Sequence, residues 1–156
     1  MPIYARFIDE KDTQQKNAAL GQPAHSSSTY SLDKGGYVAS WAVDGKIANL
    51  ELCFISDFEL SPWIQINLGG HYIISFIRLY NRQDVLEERL HDLSLLVSQD
   101  GYSFTVCGFF KGPGITKQVV EILCEDNVLR NIVRLQITDG LNNILCLCEI
   151  EVNISL

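Results

Sequence analysis

Apolar and polar residues alternate one by one along several short runs, and this period of two constrains the fold more than any other feature of the chain. Ile64, Ile66 and Leu68 alternate with Gln65 and Asn67, and Val133, Leu135 and Ile137 with Arg134, Gln136 and Thr138. Cys148, Ile150 and Val152 alternate with Glu149 and Glu151, while Leu93, Leu95 and Val97 share one face of a further run. Successive strand side chains point to opposite faces, so the pattern predicts strands buried on one face only. Turn signals separate the runs at Gly69-Gly70, Asp100-Gly101, Gly112-Pro113-Gly114 and Asp139-Gly140. Helical periodicity is nearly absent; Val38 to Asp44 reads as a short helical turn ending at Gly45. Residues 24–36, rich in Ser, read as a long surface loop. Many short strands with turns between them predict an all-β sandwich or barrel.

At 156 residues the chain fits one domain with a proper core. Residues 1–14 are read as an N-terminal extension and 15–156 as the β-sandwich domain. A net charge of −7 and a pI near 4.8 argue against a general nucleic-acid or anionic-membrane binder, because both need clustered positive charge. No run approaches the length of a membrane span, so membrane insertion is not expected. Met1 to Gln15 carries Arg6, Asp9, Glu10, Lys11 and Asp12 and has no apolar block of the secretory kind. The chain therefore reads as cytoplasmic, exported by another route, or part of a longer protein. No Ser, His and Asp arrangement suggests a nucleophile with its base, so catalysis is not expected.

The segment with the most chemistry is Asn81 to Leu90, directly after the strand-like run Tyr72 to Tyr80. Arg82 and Arg89 flank Asp84. A guanidinium presents five donors in a planar fork, which suits vicinal hydroxyls or other paired acceptors. The plainer reading has Arg82 and Arg89 pairing with Asp84, Glu87 and Glu88 on a solvated loop.

The order of features from Asn17 onward resembles the discoidin or coagulation-factor C-type fold, and within it the F-type lectins (fucolectins). The resemblance rests on Asn17 to Ala24, Ser26-Ser27-Ser28, Ala42-Val43-Asp44-Gly45, Pro62-Trp63-Ile64-Gln65-Ile66-Asn67-Leu68-Gly69, the Asn81 to Leu90 segment, and Leu147 to Val152. It implies an eight-stranded antiparallel jelly-roll β-sandwich of the galactose-binding-like kind, with loops clustered at one end. It also implies a glycan partner held by Arg82 and Arg89, with the carboxylate of Asp84 fixing the first guanidinium. The family's histidine falls on Ile55. The absence of that donor removes about 1 kcal/mol or more of sugar binding and leaves fucose specificity open. Val85 and Leu86 stand where many members carry a vicinal cysteine pair and would supply the apolar floor. His25, Tyr30, Phe54 and Phe58 are candidate replacement contacts from neighbouring loops.

The same resemblance implies a structural calcium. Asp44 and Glu149 would supply carboxylates and the backbone carbonyls of Trp41, Lys46 and Leu52 would complete the shell, with Asn49 as a substitute. The plainer reading has Asp44 capping a turn and Glu149 facing solvent or pairing with an arginine. Five cysteines leave at least one outside any intrachain pair. The resemblance implies Cys53 with Cys148 and Cys107 with Cys124, Cys146 being the odd thiol; in a reducing compartment all stay thiols. Two functions follow as alternatives: a non-enzymatic carbohydrate-binding module, or a discoidin-type interaction or scaffolding domain that has lost sugar binding. Homo-oligomerisation or attachment to a larger protein stays open in both.

Overall fold

A computed structural model of the protein describes residues 16–31, 36–47, 52–82, 86–115 and 119–155. Among these residues ten strands form in chain order: β1 (Lys16–Asn17), β2 (Ala24–Ser26), β3 (Phe54–Ile55), β4 (Trp63–Tyr80), β5 (Leu93–Ser98), β6 (Phe104–Phe110), β7 (Val119–Leu123), β8 (Arg130–Ile137), β9 (Cys146–Leu147) and β10 (Glu149–Ser155). Eight of them connect through β4, and β3 and β9 make a separate two-residue ladder. All pairings are antiparallel. One layer runs β1-β10-β4-β7 and the other β2-β4-β8-β5-β6, so the long strand β4 belongs to both.

The period of two explains the layers. Ile64, Ile66 and Leu68 of β4, Leu93, Leu95 and Val97 of β5, Val133, Leu135 and Ile137 of β8, and Ile150, Val152 and Ile154 of β10 all point into one core. Each such side chain, fully buried, contributes on the order of 1.5–3 kcal/mol. Gln65, Asn67, Arg134, Gln136 and Glu151 between them are half-buried or exposed on the other face. There Gln65 accepts both Nε and Nη2 of Arg134, whose guanidinium stacks 4.3 Å from the rings of Trp63 and Phe104.

Two sequence readings need correction. Gly69-Gly70 does not end a strand. It lies inside β4, at the register shift between Asn67 and Tyr72, and Gly69 takes φ +77°. Glycine tolerates that conformation, which lets a single strand bend from one layer into the other. The Ser-rich stretch also begins as a strand, since Ala24, His25 and Ser26 pair with Ile66, Gln65 and Ile64. The short helical turn occurs as expected, as a 3-10 turn over Ala39–Val43. Cys53–Cys148 and Cys107–Cys124 are joined as the resemblance implied, and Cys146 is in neither bond and is buried. Among the described residues, no helix is long and apolar enough to cross a membrane.

Candidate functional site

Strand β4 delivers the arginine segment to one end of the sandwich. Directly after its last residue, Asn81 is only 1% exposed and acts as a knot. Its Nδ2 donates to the carbonyls of Glu87 (3.1 Å) and Gly114 (3.2 Å), and its Oδ1 accepts the backbone N–H of Arg82 at 3.0 Å. One buried amide thus ties the start of the segment, its later turn and the loop after β6. Gly114 is needed there, because a Cβ would stand 2.8 Å from the same Nδ2. Leu86 adopts a left-handed conformation (φ 62°, ψ 30°) and opens a 3-10 turn, Glu87–Arg89, closed by Arg89 N–H to Leu86 O at 3.1 Å. Leu90 is then buried, and its carbonyl accepts Gly114 N–H at 2.8 Å.

Arg82 and Arg89 are both half-buried, and Leu86 is exposed. Among the described residues, no group hydrogen-bonds or ion-pairs with the Arg89 guanidinium. Asp84 and Val85, expected to fix Arg82 and to floor the site, lie outside the described residues.

Around Ile55 stands an apolar and aromatic wall. Ile55 and Tyr80 pack on one buried cluster formed by Cys53, Cys146 and Cys148, so the position lacking the family histidine adjoins the strand end that leads to Arg82. The main chain of Ile55 is clasped by two tyrosines: Tyr30 N–H donates to its carbonyl at 2.7 Å, and its N–H donates to Tyr37 O at 3.2 Å. The Tyr30 and Tyr37 rings stack at 6.0 Å, and Trp41 meets Tyr37 edge-on at 5.9 Å.

The Ser-rich loop is held rather than loose. Ser27 Oγ donates to Glu59 at 2.7 Å, Ser28 Oγ donates to the same carboxylate oxygen, and Asp57 N–H donates to Ser28 Oγ at 2.9 Å. Tyr30, 37% exposed, is therefore available as a wall residue. Phe54 is not. It is 0% exposed in the core and cannot touch a ligand, because its strand faces it inward. Phe58 is exposed on the next loop, and His25 is exposed on β2 opposite Gln65. No contact among the described residues links His25 to the arginine segment. Asn81 and Glu59, which organise the site, escaped the sequence reading. The adjacency of Asn81 to Arg82 was the available signal for the first, and nothing local signalled the second.

The second arrangement joins the turn after Val43 to β10. Gly45 N–H donates to Glu149 Oε2 at 2.7 Å, and Lys46 N–H to Asp44 Oδ1 at 3.0 Å. Glu149 does not face solvent: it is 0% exposed and its Oε1 has no hydrogen-bond partner. Burial pushes its carboxyl up to about 8, opposed by the Gly45 N–H and reinforced by the hydrogen bond and charge of Asp44. Two adjoining carboxyls with an orphaned buried oxygen are a hard donor set suited to an oxygen-seeking cation. Among the described residues no cluster of three or more His, Cys, Asp or Glu suits a metal, so a cation here would draw further oxygens from the main chain. Trp41 is half-buried, Lys46 and Leu52 are exposed, and Asn49 lies outside the described residues.

Known structures share this architecture. The lectin domain of lectinolysin, complexed with Lewis B antigen, is 26% identical with a TM-score of 0.72, covering 90% of this chain and 98% of that one. The fucolectin from striped bass (Morone saxatilis) serum is 27% identical with a TM-score of 0.75, over 90% of this chain and 49% of that one. A Clostridium perfringens module in complex with GalNAc-β-1,3-galactose is 19% identical with a TM-score of 0.71, over 89% and 99%. At the level of sequence, no curated protein matches. Residues 41–135, well over half the chain, match the model of the NedA-like, galactose-binding domain, and the protein accordingly belongs to the F5/F8 type C (discoidin-like) family.

Proposed function

We propose that the chain is a non-enzymatic, lectin-like glycan-binding module whose site is the arginine segment. Arg82 and Arg89 donate to neighbouring sugar hydroxyls, Asp84 orients Arg82, and Val85, Leu86 and the exposed ring of Tyr30 meet apolar faces of the sugar. His25, on β2 opposite Gln65, is given no role in this reading. The observation that carries the reading is the Asn81 knot, which spends a buried amide on holding the Arg82–Arg89 loop against Gly114. Structural similarity at 26–27% identity to a domain complexed with Lewis B antigen and to a fucolectin supports it. Single-sugar affinity is expected at about −4 to −6 kcal/mol, strengthened by multivalency. A glycan array followed by calorimetry on wild type and Arg82→Ala tests this. Binding should vanish in the variant, and a wild type silent toward every glycan would end the reading.

A structural calcium belongs to the same proposal. Asp44 and Glu149 would hold it with main-chain carbonyls of Trp41, Lys46 and Leu52, tying the 3-10 turn to β10. Calcium should raise the melting temperature of chelator-treated protein, and Glu149→Gln should abolish the rise. Ile55 at the histidine position favours a second reading, a protein-interaction domain. A stoichiometric partner that co-purifies and is released by alanine changes at the loop tips, with no glycan bound, would support it instead.

A further inference from the structure

Resting on that reading, we propose that His91 is a specificity-determining residue of the sugar site, supplying the hydrogen-bond acceptor that two arginines cannot. Leu90 between them is extended (φ −86°, ψ 105°) and buried, while Arg89 and His91 on either side of it stay partly open to solvent. Both are half-buried.

The imidazole is held in place. His91 Nδ1 lies 2.9 Å from Asp92 Oδ2, and the other oxygen, Oδ1, takes Lys111 Nζ at 2.9 Å. Asp92 itself sits at φ +42°, a conformation that non-glycine residues avoid and that surrounding structure must impose. Its N–H donates to Lys111 O at 2.9 Å, and its carbonyl accepts Thr138 N–H (2.9 Å) and Thr138 Oγ1 (3.1 Å). The loop after β6 lies flat against this pair: a Cβ at Gly112 would come 2.9 Å from His91 Cα. The hydrogen bond from His91, then that from Lys111, holds the Asp92 carboxyl below the usual range, so it stays an acceptor.

In the neutral imidazole, a carboxylate at Nδ1 favours the tautomer protonated there and leaves the Nε2 lone pair as the acceptor. Among the described residues, no group hydrogen-bonds Nε2. A sugar hydroxyl both donates and accepts, whereas a guanidinium only donates. Arg89 and His91, two residues apart, would together satisfy a hydroxyl in both senses. The ligand class is a pyranose presenting a hydroxyl, with a neighbour for Arg82 or Arg89, to this flank of the loop. His91 follows Arg89 whereas Ile55 packs beside Tyr80, so the lost donor is not restored in place. The site instead gains an acceptor at the other end of the segment.

The test is calorimetry with L-fucose, D-galactose and N-acetyl-D-galactosamine, alongside a glycan array, on wild type, Arg82→Ala, His91→Ala, His91→Asn and His91→Gln. Glutamine places an oxygen near the Nε2 position, and asparagine reaches only as far as Asp92. His91→Ala and His91→Asn should weaken the best-bound sugar roughly five- to tenfold and change the order of preference, and His91→Gln should restore binding. Wild-type binding that His91→Ala and His91→Asn leave unchanged overturns the role of His91 while the arginine site stands. A wild type that binds no sugar overturns both. Equal loss in the Asn and Gln variants also overturns it, since imidazole size rather than the acceptor would then matter.

Discussion

Replacing Glu149 by Gln isolates a buried carboxyl that works against the fold. In the folded protein its proton is held up to about 8, through burial first and the neighbouring Asp44 second, against an ordinary value of 4.5. Between those values the native state binds more protons than the unfolded chain, so stability falls as pH rises through this window. From 4.5 to about 8, at about 1.4 kcal/mol per pH unit, the loss has an upper bound of about 5 kcal/mol. That is a large part of the roughly 5–15 kcal/mol available to a domain. Glutamine keeps the shape of the protonated acid and does not titrate. Urea unfolding in chelator, from about pH 5 to about pH 9, should show wild type losing several kcal/mol that Glu149→Gln keeps. Calcium at the high end should restore wild type and leave the variant unmoved. Profiles that run parallel within about 0.5 kcal/mol would refute the argument, because the carboxyl would then titrate alike in both states.

Phe54→Ala should cost about 3–5 kcal/mol in chemical denaturation, since the ring is wholly buried in the core. With both disulfides formed, Cys53→Ser should destabilise more than Cys107→Ser, because the bridges span 95 and 17 residues and chain entropy scales with the closed loop; melting curves under non-reducing conditions should order them so. Glu59→Ala should speed hydrogen exchange of the Tyr30 amide by about tenfold or more, whereas Glu59→Gln, which can still accept both serine hydroxyls, should change it little. Arg78→Ala should cost only about 1 kcal/mol and less at high salt, since its pairs with Glu121 and Glu151 are partly exposed.

Local periodicity made the core strands legible. Val133, Leu135 and Ile137 alternate with more exposed residues, and Leu93, Leu95 and Val97 share one inward face, a rule that needs no knowledge of partners. The arginine pair was equally visible, since its residues are close in sequence. What stayed hidden depends on distant neighbours. Asn81 earns its role from Gly114, Glu59 from Ser27 and Ser28, and His91 from Lys111. Gly69-Gly70 misled because a glycine pair serves a reversal and a bend equally well. Phe54 misled because a two-residue strand is too short to reveal which face is inward.

The dual membership of β4 has a mechanical consequence. Its partners are β2, β7, β8 and β10, so neither half of the sandwich peels away without rupturing ladders that also belong to the other half. Amides along this spine should exchange only through global opening. A platform mounted at its tip inherits that stiffness, so an incoming guest meets a surface already shaped and little of the encounter energy goes into ordering the host.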